Sequence, residues 1–105
     1  MLSSIRVLEI CDEAGALAGK ILGDLGADVV KVEAPGGDLR GRRPPYLGGV
    51  SDPERSLAWL ALSASKRGIT LDPDLSEGRA VLQRLLDRTD VLLDTFAPGT
   101  LEAWG

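Results

Sequence analysis

Apolar and polar positions along this chain fall into short blocks whose period alternates between that of a strand and that of a helix. Ile5 to Ile10 (IRVLEI) is a compact run of aliphatic residues and predicts a first strand. From Ala14 to Leu25 the large apolar residues are Leu17, Ile21, Leu22 and Leu25, spaced to share one face of a helix. Gly26 follows, where a left-handed residue would end that helix. Asp28 to Glu33 (DVVKVE) predicts a second strand. Strand, helix and strand make a βαβ unit, whose crossover is expected to be right-handed.

Ala34 to Ser51 breaks the rhythm with Pro35, Pro44, Pro45 and repeated glycines, and predicts a long loop. Loops of that length inside a compact domain are usually functional or disordered. Asp52-Pro53 then offers an N-cap and a first-turn proline for a second helix with Leu57, Leu60, Ala61 and Ala64 on its apolar face. Ile69 to Leu71 predicts a third strand. Asp74 and Glu77 have the spacing of a capping pair for a third helix running to about Arg88, with Val81, Leu82, Leu85 and Leu86 inward. Asp90 to Asp94 (DVLLD) predicts a fourth strand, Phe96-Ala97-Pro98-Gly99 a turn, and Thr100 the cap of a short helix ending at Gly105. This succession predicts an α/β fold: a Rossmann-like, mostly parallel sheet with helices on both faces and ligands outside the carboxyl ends of the strands.

Composition narrows the chemistry. The 105 residues suffice for one small domain. A net charge of −4 argues against nonspecific nucleic-acid binding, which depends on neutralising phosphates. Histidine, the usual acid–base group and metal ligand, is absent, so no metal is expected. The single cysteine, Cys11, allows no internal disulfide and fits a reducing, cytoplasmic location. No apolar run is long enough for a membrane helix, and no secretory leader is apparent. Basic residues nevertheless gather at Arg40, Arg42 and Arg43 and at Lys66 and Arg67, which leaves a local anion site open.

Several positions carry both a functional and a plainer reading. Gly15 to Lys20 looks superficially like a phosphate loop, but one residue too few separates Gly15 from Gly19-Lys20 and no Ser or Thr follows the lysine. Its small residues would equally let the helix pack closely on the sheet. Glu33 could hold a ribose hydroxyl or face solvent, and without GxGxxG a nicotinamide dinucleotide is not supported. Arg40, in Pro35-Gly36-Gly37-Asp38-Leu39-Arg40-Gly41, could fork onto a phosphate or sit in a solvated loop. Lys66 and Arg67 could do the same or be ordinary surface charge. Phe96 could stack on an adenine ring or close the core. Cys11 is a nucleophile by type, but no histidine exists to activate it.

Read in order, these segments resemble a known family. Ile5 to Glu9 resembles the opening strand of the class III CoA-transferases, relatives of crotonobetainyl-CoA and formyl-CoA transferases and of α-methylacyl-CoA racemase. Leu25 to Glu33 (LGADVVKVE), Pro35 to Asp38 (PGGD) with Arg40-Gly41, Ser65 to Asp72 (SKRGITLD), Glu77-Gly78, Thr89 to Phe96 (TDVLLDTF) and Pro98-Gly99 with Leu101 and Gly105 follow the family's blocks at its spacing over nearly the whole chain. The resemblance implies the amino-terminal part of a CoA-binding Rossmann-like domain within a larger two-domain chain. It implies transfer of CoA between acyl-CoA thioesters and carboxylic acids, with CoA as substrate and no separate cofactor. The racemase branch and a noncatalytic scaffold built on the same fold are the alternatives.

In such transferases an aspartate carboxylate attacks the donor thioester to give a mixed anhydride, and the returning CoA then forms an enzyme-bound thioester. That aspartate is expected beyond Gly105, so residues 1–105 alone are expected not to turn over. Carried over by position, the CoA contacts are Leu71, Thr95, Phe96, Pro98, Gly99 and Trp104, with Lys66 and Arg67 in a matching motif. Glu13 and Ala14 would lie near the thioester. A homodimer is implied, with neither nucleic acid nor membrane as partner. The sequence departs from the family where the first loop is one residue shorter, where AGP reads Ala14-Gly15-Ala16, and at Ala34, Thr95 and Ala103.

Overall fold

The computed structural model describes residues 1–10, 13–35, 45–49, 56–95 and 98–99. Strands β1 (Arg6–Ile10), β2 (Asp28–Glu33), β3 (Lys66–Thr70) and β4 (Val91–Asp94) form one sheet in the order β3-β2-β1-β4, with every pairing parallel. Helices α1 (Glu13–Asp24), α2 (Leu57–Ser63) and α3 (Ser76–Leu86) connect them. A parallel sheet must be covered on both faces, and the side-chain alternation of the inner strands shows how. Leu8 and Val32 face Leu82 of α3, joined there by Leu71 and flanked by Ile10, Val30, Ile69, Leu85, Leu86 and Leu92. Val7 and Val29 face the other way and pack with Ala27, Leu22 of α1 and Leu93.

The first βαβ unit closes on a well-formed helix end. Gly26 has φ 103°, and its amide donates to the Gly23 carbonyl at 3.0 Å. The next amide, Ala27, reaches back to Leu22 at 3.0 Å, which completes a Schellman motif. Ala27 is then delivered, buried, directly into the entrance of β2. The chain closes at the amino end of the sheet as well, where the Arg6 amide donates to Asp90 Oδ2 at 2.8 Å and the Asp90 amide donates to the Arg6 carbonyl at 2.9 Å.

Some expectations are corrected. Leu17, Ile21 and Leu25, the large residues that predicted α1, point outward and are exposed. The inward side of α1 is made instead of Ala16 and Gly19, with Leu22, the one of the four expected residues that packs against the sheet. The same inversion holds in α2, where Leu57, Leu60 and Ala61 are exposed while Trp59 and Leu62 are half-buried. That helix begins after Ser56, a buried N-cap whose Oγ accepts from the Trp59 amide at 3.3 Å. The cap expected at Asp52-Pro53 lies outside the described residues, as does most of the loop 34–51. Within that loop, Tyr46 forms an isolated antiparallel bridge with Ser56.

β3 begins at Lys66, earlier than the Ile69 expected, because Lys66 buries its side chain under α1 instead of projecting into water. In α3 the cap position is Leu75, with no side-chain cap bond. Asp74 does not cap the helix, since its amide donates to Asp72 Oδ1 at 2.9 Å and its carbonyl accepts from Arg79 at 3.1 Å. Val81 is exposed rather than inward.

Candidate functional site

The strand order fixes where a ligand can lie. From β1 the chain passes through α1 to β2 on one side, whereas β4 arrives on the other side from α3, which covers the opposite face. The connections therefore diverge between β1 and β4, the topological switch point at which open α/β sheets bind ligands. At the carboxyl edge of that junction Ile10 is in register with Asp94. One wall is the start of α1 at Glu13; the other is Thr95 and the Pro98-Gly99 turn, all three exposed. Gly99 has φ 91°, a conformation that glycine adopts without strain.

The expected site residues divide between the two ends of the sheet. Thr95, Pro98 and Gly99 follow β4 at its carboxyl end, and Glu13 and Ala14 open α1 beside the carboxyl end of β1. Leu71 follows β3 at the same end, but its side chain is buried in the core, and its amide extends the ladder by donating to the Glu33 carbonyl at 2.9 Å. Glu33 closes β2 there, half-buried. Lys66 and Arg67 begin β3 and so enter at the opposite end. The Arg67 guanidinium grips Asp28 through two bonds, Nε to Oδ1 at 3.0 Å and Nη2 to Oδ2 at 2.7 Å. Phe96, Trp104, Cys11, Arg40, Arg42 and Arg43 lie outside the described residues.

Sequence reasoning missed the most unusual feature of the site, an ionic cluster sealed beneath α1. Glu9 of β1 is fully buried. Its Oε2 accepts from Lys31 Nζ at 2.9 Å, and Lys66 Nζ lies 2.7 Å from its Oε1 as an ion pair without hydrogen-bond alignment. The register explains the first pair, since Glu9 is the direct cross-strand neighbour of Lys31. Lys66 comes from the amino end of β3 and reaches across to donate to the Ala16 carbonyl in α1 at 3.0 Å. Lys31 also sits 5.5 Å from the centre of the Trp59 ring of α2, a cation–π contact. Charges this buried persist only when paired and well solvated by protein.

Gly19 makes room for the cluster, because a Cβ there would lie 1.8 Å from Glu9 Oε1. The Gly15–Lys20 segment is thus the close packing of a helix over buried charge. Lys20 itself turns outward and pairs with Asp24. The only signals in the sequence were a Glu and a Lys inside otherwise apolar strands.

A second electrostatic contact ties the end of α1 to the start of β3. Asp24 accepts from Lys20 and from the Ser65 hydroxyl, the latter at 3.0 Å. Chiefly the Lys20 bond, then the Ser65 bond, holds the Asp24 carboxyl below its usual range. Ser65 has φ 66°, a left-handed conformation uncommon outside glycine and asparagine, so the turn into Lys66 is held under some strain. Among the described residues no cluster of three or more His, Cys, Asp or Glu side chains could hold a metal, and no helix is long and apolar enough to cross a membrane.

Comparison with known proteins gives these features a setting. The model of CoA-transferase family III matches residues 2–105. A succinyl-CoA–D-citramalate CoA-transferase of Chloroflexus aurantiacus is 43% identical over 108 residues, covering 99% of this chain and 25% of its own length. A succinyl-CoA:mesaconate CoA-transferase of Haloarcula hispanica is 36% identical over 102 residues, covering 96% of this chain and 26% of its own. Among solved structures, a mutant of Rv3272 from Mycobacterium tuberculosis superposes with TM-score 0.86 at 37% identity, over 100% of this chain and 28% of that one. A CAIB/BAIF family protein from Brucella suis gives 0.81 at 38% identity, over 98% and 28%. The chain therefore spans about a quarter of the length of the curated relatives it matches.

Proposed function

The chain belongs to CoA-transferase family III, and from that premise we propose that it forms the CoA-facing part of an enzyme that moves CoA between acyl-CoA thioesters and carboxylic acids. The observation that carries this reading is a coincidence of two independent lines. In the segments that resemble the family's CoA contacts, Thr95 and Pro98-Gly99 follow β4 at the junction with β1 where topology puts a ligand, and Leu71 follows β3 at the same end of the sheet. Phe96 and Trp104 complete the proposed contact set. Lys66 is left out of it, because its ammonium is already held inside by Glu9.

In this reading the chain binds and orients, and another part of the polypeptide supplies the nucleophilic carboxylate. Fixing the nucleotide end of CoA makes attack on its thioester effectively unimolecular, the main service a binding domain gives to acyl transfer. The start of α1, with Glu13 and Ala14, faces the thioester end. Succinyl-CoA is the proposed donor class, in line with the relatives' names, and a small dicarboxylic acid the proposed acceptor.

The test is a transfer assay on the full-length polypeptide with succinyl-CoA and a panel of L-malate, D-citramalate and mesaconate. New acyl-CoA in at least one reaction is expected. CoA binding with no transfer to any of these acids would remove the dicarboxylic acceptor, and absence of CoA binding in the folded protein would remove the transferase reading and favour the noncatalytic scaffold.

A further inference from the structure

The cluster beneath α1 joins elements that the proposed reaction needs in register, yet it lies away from the exposed wall of the crevice at Thr95 and Pro98-Gly99. Lys66 sits at its centre. The side chain starts at the amino end of β3, is 2% exposed, and ends on two groups, Glu9 Oε1 at 2.7 Å and the Ala16 carbonyl at 3.0 Å. Ala16 lies in the first turn of α1, which leaves the carboxyl end of β1 at the switch point. Glu9 is next to last in β1. The ammonium thus holds both ends of the β1–α1 connection from beneath, the strand through an ion pair and the helix through a hydrogen bond.

Gly19 lets α1 settle onto this group, since its missing Cβ would also lie 3.2 Å from Lys66 Cε. Ser65, on its strained turn, aims the lysine by bonding Asp24 at the far end of the same helix. A helix packed on a sheet through small residues has little side-chain interlock to fix its position along the strands. Here charge takes over that task.

We propose that Lys66 is a positioning residue of the active site, acting through α1. It fixes the first turn of the helix at the height where the acyl end of the substrate reacts. This rests on the transferase reading above. Lys66 touches no substrate, so its loss should leave CoA affinity alone and disturb the chemical step. Misplacing a reacting group by about an ångström costs up to about a hundredfold in rate.

The experiment uses the full-length enzyme and Lys66→Met, which keeps most of the stem and leaves Glu9 paired with Lys31. Two readouts are taken. Amide hydrogen exchange of residues 17–20, whose N–H groups bond the first-turn carbonyls, should accelerate about tenfold. With succinyl-CoA as donor and the acid that the wild type uses, kcat should fall about tenfold to a hundredfold while KM for succinyl-CoA stays within about threefold.

Asp90→Ala, which removes the bond to the Arg6 amide at the amino end of the sheet, controls for general destabilisation and should leave kcat unchanged. Unchanged exchange in folded Lys66→Met overturns the strap. Faster exchange with normal kcat reduces it to a structural tie and overturns the positioning role, as does an equal loss of kcat in Asp90→Ala. A wild type that binds no CoA defeats the transferase reading instead, and the exchange result still reports on the strap. If Lys66→Met does not fold, Lys66→Gln is read in the same two ways.

Discussion

At the scale of single residues, the structure turns on glycines and charges whose neighbours are far away in sequence. Gly19 shows this most directly. In an ordinary helix interior, Gly→Ala gains about 1 kcal/mol of helix propensity. Here the new methyl would meet the buried carboxylate of Glu9 at 1.8 Å. Gly19→Ala is therefore expected to lose about 2 kcal/mol of stability, by forced repacking and disturbance of the ion pairs, as read from urea unfolding of the purified protein.

Asp24 gives a second prediction at this scale. Its folded-state pKa is lowered, so its contribution is present above the unfolded-state value near about 4 and is lost as pH falls through the lower folded value. The stability gap between wild type and Asp24→Asn should be seen at pH 7 and should shrink on acidification below that value. A gap that widens in acid would contradict the assignment.

At the scale of elements, strands were legible and helix faces were not. The aliphatic runs IRVLEI, DVVKVE and DVLLD each became a strand, β1 and β2 in the middle of the sheet and β4 at its edge. The helical period located α1 but opened α2 too early, at Asp52-Pro53 where the helix begins after Ser56, and it put Leu17, Ile21, Leu57 and Leu60 on the wrong side. Periodicity reports that a stripe exists; it does not report which side meets the sheet. Over β1, β2 and β3 the sheet presents Glu9, Lys31 and Lys66, so α1 packs there through Ala16 and Gly19 and turns Leu17 and Ile21 out.

The entrance to α3 makes the same point through Gly78. A Cβ at Gly78 would lie 1.8 Å from the Asp72 carbonyl oxygen, whereas one at Gly68 on the edge strand β3 meets nothing within 4 Å. Gly78→Ala should cost about 1–3 kcal/mol, while Gly68→Ala should be neutral or gain about 0.5–1 kcal/mol by restricting the unfolded chain. Paired thermal melts would show the difference, and equal shifts would contradict this account of the α3 turn.

At the scale of the whole molecule, the order of the segments carried more information than any one of them. The alternation of strands and helices was enough to predict a parallel sheet, and the parallel pairings in the order β3-β2-β1-β4 bear that out. The buried cluster was not legible, because nothing local distinguishes a lysine in a strand that faces water from one that faces a carboxylate beneath a helix. The outer layer of α1 and α2 is unusually apolar, with Leu17 and Ile21 each more than half exposed. Exposed stripes of this kind mark surfaces that another protein segment covers. Residues 1–105 expressed alone are expected to associate, as measured by light scattering, and Leu17→Lys with Ile21→Glu should reduce that association. A monodisperse monomer that melts cooperatively would contradict the expectation.

The central claim is that the carboxyl edge between β1 and β4 receives the nucleotide end of CoA. Hydrogen exchange read by mass spectrometry on the full-length protein, with and without CoA, tests it most directly. The account predicts protection in peptides covering Leu71 and Thr95 to Trp104, with the exposed Arg67–Asp28 pair at the other end of the sheet unchanged. Protection confined to that opposite end, or none at all in a folded protein at saturating CoA, would contradict it.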